Sequence, residues 1–105
     1  MIVRTWRGRT SISNQSAYLE HFRRSVIPEL QAIKGFRGAS LLIRNLSGEV
    51  EVFVLTKWTS LEAIRMFAGN AIEKAVVAPE AAAVLVEYDR AVRHYEVVHE
   101  MNQTD

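Results

Sequence analysis

Leu19, Phe22, Val26, Leu30 and Ile33 recur at spacings of 3, 4, 4 and 3, which puts them on one face of a helix that begins near Gln15. Glu20, Arg23, Arg24 and Lys34 fall off that face. Pro28 lies inside the run; it lacks an N–H and its ring collides with the preceding turn, so a kink or a break is predicted there. KGFRG (34–38) supplies the stop. Ahead of this helix, IVRTWRGR (2–9) is a β-branched and aromatic run that suits a first strand, and SISNQS (11–16) offers helix-capping hydroxyls and amides. Beyond it, two strand-like runs at 38–46 and 49–58 flank LSGE, and a hairpin is the natural reading. TSLE (59–62) has the form of a capping box, with the Thr59 hydroxyl taking a helix N–H and Glu62 reaching back. Leu61, Ile64, Phe67 and Ala68 then give a second helix its apolar side, closed by Gly69-Asn70. Residues 71–88 are Ala-rich and interrupted at Pro79, which predicts one or two short helices; AVRHYEVVH (91–99) reads as a last strand.

The order β-α-β-β-α-β points to an α+β fold, an antiparallel four-stranded sheet with helices on one face. Residues alternate between the faces of a strand. In 49–58 the even positions are Val50, Val52, Val54, Thr56 and Trp58, while the odd ones include Phe53 and Leu55, so this strand is apolar on both sides. Leu41 and Ile43 against Leu42 and Leu46 repeat the effect next door. One chain's helices cover one face only; the other is expected to meet a second subunit in a two-fold homodimer.

Composition narrows the chemistry. The 105 residues fit a single domain (1–105), with an ordered core over about 2–98 and a frayed tail at 100–105. Thirteen Lys and Arg against twelve Asp and Glu leave a net charge of +1, and the basic residues are dispersed, which speaks against nucleic-acid or membrane partners. There is no cysteine, so disulfides, thiolate nucleophiles and Cys-based metal sites are out. No run approaches the roughly 20 apolar residues of a membrane helix, and Arg4, Arg7 and Arg9 break any signal-peptide core. A cytoplasmic protein is expected.

Three stretches carry a family likeness: AYLEHFRRSVIPELQAIKGFRGASLLIRN (17–45), EVFVLTKWTSLEAIRMFAG (51–69) and VRHYEVV (92–98). Together the chain resembles the antibiotic biosynthesis monooxygenase-like (ABM) domain group of the dimeric α+β barrel superfamily, and its most recognisable piece is a strand ending in Trp58 with a helix directly behind. The resemblance implies a ferredoxin-like protomer, a homodimer through the sheet face, and a pocket between sheet and helices. Members of the group include cofactor-independent monooxygenases that turn polycyclic phenols into quinones, and haem-degrading enzymes. Trp58 matches the strand-end tryptophan that lines the pocket in both branches. The quinone-forming branch pairs it with an Asn four residues earlier, where this chain has Val54. The haem-degrading branch uses an Asn on the first strand and a His on the second helical segment; this chain has Arg4, Thr5 and Trp6 on the first, and no histidine in 61–88.

The candidate chemistry follows from side-chain type. Trp58 can stack on a flat aromatic substrate, or plug the core at the strand end. Tyr18 and Phe22, four apart on helix one, and Phe67 on helix two are placed to line the space above it as substrate-binding rings. His94, mid-strand, is the one internal candidate for a catalytic base able to take a phenolic proton, its bland alternative being a hydrogen-bonded histidine at a sheet edge or dimer contact. His21 is expected to face solvent and His99 to lie in the tail. Histidines at 21, 94 and 99 have no metal-site spacing, so no metal is expected. The expected activity is a monooxygenase that uses no cofactor, on a small aromatic or quinone-type compound; the alternatives are a non-catalytic small-molecule-binding dimer module and, third, a haem-degrading enzyme.

Overall fold

In the computed structural model, which describes residues 1–104, β1 (Ile2–Ser11) is the strand around which the sheet is assembled. It pairs antiparallel with β3 (Glu49–Trp58) along its whole length, from Ile2 opposite Trp58 to Ser11 opposite Glu49. β2 (Phe36–Leu46) pairs with the far edge of β3 across a tight hairpin turn, with Leu46 opposite Glu49. The free edge of β1 takes two short strands in succession: β4 (Leu85–Tyr88) beside Gly8–Thr10 and β5 (Arg93–Glu96) beside Ile2–Thr5. The sheet therefore has four antiparallel positions in the order β2-β3-β1-(β4, β5), the ferredoxin-like arrangement.

Two expectations for this last position need correcting. The helical reading of 71–88 holds only for the short helix α4 (Pro79–Val84), and the last strand is Arg93–Glu96 rather than 91–99. Leu85 leaves the helix with extended backbone. The unpaired edge of β1 offers LVEY the ladder hydrogen bonds that one more helical turn at the surface could not match in burial, and tertiary pairing overrides a weak local preference.

Helix one runs as α1 (Gln15–His21), a π turn (Phe22–Val26) and α2 (Ile27–Gln31) without leaving helical backbone. Pro28 cannot donate to the carbonyl four residues back, and the break predicted there takes the form of this wider turn just ahead of it. The extra residue in the π turn moves the buried face back by one position. Tyr18, Phe22 and Leu30 are buried, whereas Leu19, expected on the stripe, is 44% exposed. Leu61 is likewise exposed; Ala63 and Ile64 carry the buried side of α3 (Leu61–Ala68). The expected capping box does not form, and a single side-chain cap one residue later replaces it. Ser60, not Thr59, is the N-cap and accepts from the Ala63 amide at 3.2 Å, while Glu62 turns to Arg65. The Thr59 N–H that Glu62 was expected to meet is bound instead to the Gly35 carbonyl at 2.8 Å.

That strand-to-helix corner depends on Gly35, whose φ is +99° and where an added Cβ would lie 2.6 Å from Ala63 Cβ. Gly35→Ala is therefore expected to cost about 2–4 kcal/mol, combining left-handed strain with overpacking against α3. Urea unfolding measures it; a loss under about 0.5 kcal/mol, the level of an ordinary surface change, would contradict the corner's tightness.

The helices cover the even-numbered face of β3, and the core there gathers Leu30, Trp58, Ala63, Ile64 and Ile72, with Tyr18, Val52 and Ala81 as a second group. The odd-numbered face is less uniformly apolar than the alternation predicts. Val3, Phe53 and Leu55 are half-buried and Leu42 and Tyr95 half-exposed at one end. At the other, Glu51 is held by Arg7 and Arg44, each at 2.8 Å, and Arg9 bridges Glu49 and Glu87. The Arg44 and Arg7 hydrogen bonds keep the Glu51 carboxyl below the ordinary carboxylate range. Among the described residues no helix is long and apolar enough to cross a membrane.

Candidate functional site

Between the sheet and helix one lies a cavity of about 420 Å³. Arg4 and Trp6 of β1 and Val54 and Thr56 of β3 form its floor. Tyr18, His21, Phe22, Val26 and Leu30 roof it, and Phe67 and the Val76–Ala78 segment close its sides. The wide π turn supplies Phe22, Ser25 and Val26 to this roof, so the irregularity forced near Pro28 sits directly over the hollow.

The aromatic wall is built on β1. The Trp6 indole N–H donates to the Asp89 carbonyl at 2.8 Å, and its ring stacks on Tyr18 with centroids 6.3 Å apart. Gly8, two residues along the same face, leaves the room this needs: a Cβ there would come within 2.9 Å of the Trp6 ring. Burial pushes the Tyr18 phenol above its ordinary value, so it stays protonated and can only donate or accept as a neutral group.

Arg4 is the unusual member of the lining. It is 95% buried, and no carboxylate pairs with it among the described residues. Its Nη1 donates to the Ile72 carbonyl at 2.6 Å and to His94 Nε2 at 2.9 Å, and its Nη2 donates to the Lys74 carbonyl at 3.0 Å. The guanidinium carbon stands 5.7 Å from the Phe67 ring centroid. Burial pulls its pKa down to about 10, which still leaves it cationic at neutral pH. Its bonds to Ile72 and Lys74 also pin the loop before α4, which is tied to the β4–β5 junction through Ala75 N–H to Arg90 O and Val92 N–H to Glu73 O.

Of the side chains singled out from sequence, Tyr18, Phe22 and Phe67 meet at the cavity, and Trp58 and His94 do not reach its surface. Trp58 is fully buried one layer behind. It stacks on Phe67 at 5.9 Å, meets Phe36 edge-on at 5.3 Å, and donates its indole N–H to Thr56 Oγ1 at 2.8 Å. Its contact with the cavity is thus through Thr56 and Phe67. His94 is half-buried behind Arg4 and its Nε2 lone pair is occupied by the guanidinium, so the position expected of an internal base holds instead an acceptor for Arg4. His21, expected to face solvent, is half-buried and lines the cavity.

Arg4, Trp6 and His21 are the lining residues that sequence reasoning passed over. A signal for the first was present: Arg4 occupies the same strand face as Ile2 and Trp6, and opposite Thr56 in register, where a charge is out of place unless it has work.

Arg4 must donate to His94, so His94 carries its proton on Nδ1. Desolvation first, then the Arg4 charge, lower the His94 pKa from 6.5, with Glu73 opposing. The neutral ring is the folded state's form, so its contribution to stability is intact above pH 6.5 and is lost as pH falls through the depressed folded value. Protonation turns both partners into donors and breaks the Arg4–His94 bond. An NMR titration of the ring nitrogens is expected to show the Nδ1–H tautomer and a midpoint below 6.5; a midpoint at or above 6.5 would refute the contact. Among the described residues no three His, Asp or Glu side chains gather as a metal ion would require.

Comparison with known proteins agrees with this architecture. The chain's backbone superposes on a candidate antibiotic biosynthesis monooxygenase from Bacillus cereus with a TM-score of 0.71, at 19% identity over 100% of this chain and 98% of that one. SnoaB, a cofactor-independent oxygenase from Streptomyces nogalater, matches at 0.59 with 16% identity over 97% and 98% of the two chains. A haem-degrading protein from Mycobacterium tuberculosis matches at 0.60 with 23% identity over 98% of each. Among curated proteins no sequence match is found. The family profile described as antibiotic biosynthesis monooxygenase matches residues 1–79, three quarters of the sequence, and the chain belongs to that family.

Proposed function

We propose that the protein is a cofactor-independent monooxygenase acting on a small aromatic or quinone-type compound. The observation that carries this reading is the 420 Å³ cavity, walled by aromatic rings and holding one buried guanidinium. A flat phenol or enol lies against Trp6, Tyr18, Phe22 and Phe67. Arg4, buried in the cavity floor, stabilises the oxyanion that forms when the substrate loses its proton to His21. Trp58 and His94 are positioning residues in this scheme: the indole fixes Thr56 and Phe67, and the imidazole fixes Arg4.

The anion passes one electron to O₂, and the radical pair joins carbon to oxygen. The peroxide takes up a proton; loss of the remaining C–H proton with cleavage of the O–O bond releases water and leaves a ketone. One methylene and one O₂ give one carbonyl and one H₂O, so the four electrons lost by carbon are those gained by oxygen and no other reductant enters.

Incubation with anthrone in air-saturated buffer tests this. Quinone absorbance is expected to rise faster than in buffer alone, with one O₂ consumed per quinone. Rates equal to buffer across a panel of anthrones and naphthols would leave the second reading, a non-catalytic binding module that uses the same cavity without consuming oxygen.

The odd-numbered sheet face is assigned to a homodimer contact, because Val3, Leu42, Phe53, Leu55 and Tyr95 form an apolar area there that no helix among the described residues covers. Light scattering at micromolar concentration is expected to give twice the chain mass, and Leu55→Glu to give a monomer. A wild-type monomer would remove the assignment.

A further inference from the structure

We propose that Arg4 makes the cavity selective for aromatic compounds that present two coplanar oxygens sharing one negative charge, such as an ionised ortho-hydroxy ketone, with an aromatic carboxylate as its nearest mimic. This names the substrate class of the proposed oxygenase site and rests on that cavity being the ligand site.

The donor count carries it. A guanidinium has five N–H groups in a rigid planar fork. Ile72 O and His94 Nε2 take both hydrogens of Nη1, and Lys74 O takes one of Nη2. Two donors remain, the Nε–H and one Nη2–H. Among the described residues no side-chain nitrogen or oxygen is sealed from solvent without a partner. The uncommitted Nε therefore opens to solvent, and the solvent space that Arg4 borders is the cavity. All three acceptors already in place are neutral, so the positive charge is bonded but not balanced. A buried charge that is hydrogen-bonded but uncompensated is costly, and an anion delivered into a low-dielectric hollow recovers that cost. Nε and Nη2 share one edge of the planar fork, the edge that arginine presents to two coplanar oxygens in its bidentate geometry with carboxylates. Around them the lining is aromatic and aliphatic, which asks for a flat apolar body behind the charged end. Glu29 and Glu80, the acidic residues of the lining, are exposed, where solvent and salt screen them from the floor.

The test compares 2-naphthoate with 2-naphthamide by calorimetry on the intact protein, at neutral pH and physiological salt. The two ligands share a shape and differ in charge. Naphthoate is expected to bind about tenfold tighter or more, the scale of a charge-assisted bidentate pair. Arg4→Met is expected to erase the difference, and Arg4→Lys to keep part of it, because the charge survives without the fork. Binding of the amide within about twofold of the acid in the wild type overturns the proposal, as does the absence of any naphthoate binding at millimolar concentration. Because the wild-type pair decides the question, a variant that does not fold cannot obscure it. The outcome is also separable from oxygenation: tight naphthoate binding with no quinone formed from any substrate would sink the oxygenase and keep the anion site, whereas turnover of neutral phenols with no preference for the acid would do the reverse.

Discussion

Trp58→Ala is expected to destabilise the fold by about 3–5 kcal/mol, the cost of emptying a fully buried aromatic site, and to lower the melting midpoint by roughly 12–25 °C for a chain of this size. Trp58 is fully buried, and Leu30, Ile64 and Ile72 with the half-buried Phe36 and Phe67 belong to the packing that surrounds it. The cavity left behind cannot be refilled by the chain around it without moving α3, whose entry is fixed by the Gly35–Thr59 bond. Trp58→Phe keeps most of the ring volume and loses the hydrogen bond to Thr56 Oγ1, so about 1–2 kcal/mol is expected there. Thermal melts of the two variants separate the roles that the sequence left open at this position. A Trp58→Ala protein that melts near the wild type but no longer binds naphthoate would make the indole a pocket wall; the packing around it predicts the opposite ordering, with stability lost first.

The sequence carried the fold in its alternations and periods, and these were legible because they report burial. The even–odd split of 49–58, the three-four spacing of 19–33 and the Gly48 turn between two apolar-rich runs each set one element in place. What was not legible depended on register between elements. Nothing in VRHYEVV says that His94 faces Arg4 across a strand pair, because parity along one strand is silent about its neighbour until the pairing is fixed. The same holds for Trp58 and the cavity: the strand-end position is clear in the sequence, but whether Phe67 or the indole meets the hollow depends on how α3 lies over β3. Leu85–Tyr88 was hidden for a different reason, since an alanine-rich tract reads as helix until an unpaired strand edge is available to recruit its end. Of the lining residues that were passed over, Arg4 had an accessible signal, a charge spaced by two from Ile2 and Trp6 on an inward face.

Arg4→Met is expected to lower the turnover of an anthrone-like substrate about 10²- to 10³-fold, the range found when one preorganised oxyanion donor is removed. Among the described residues the guanidinium is the one Lys or Arg group of the cavity lining, and its uncommitted donors address the place where charge develops. Its removal also frees the Ile72 and Lys74 carbonyls, so a drop in rate alone would not separate chemistry from a loosened loop. The pH profile does. A cation beside the ionising oxygen lowers that group's pKa and moves the acidic limb of kcat/KM to lower pH. In Arg4→Met this limb is expected to shift upward, and in Arg4→Lys to return part of the way, while a variant that only relaxes the loop lowers the plateau and leaves the limb where it was. The limb is also where His94 enters. Below its depressed pKa the protonated ring repels Arg4 and releases it from its bond, so His94→Gln, which keeps a side-chain acceptor that cannot titrate, is expected to hold the wild-type plateau and extend it to lower pH. An Arg4→Met profile that superposes on the wild type after scaling would remove the guanidinium from the chemistry and leave it as a pin for the loop.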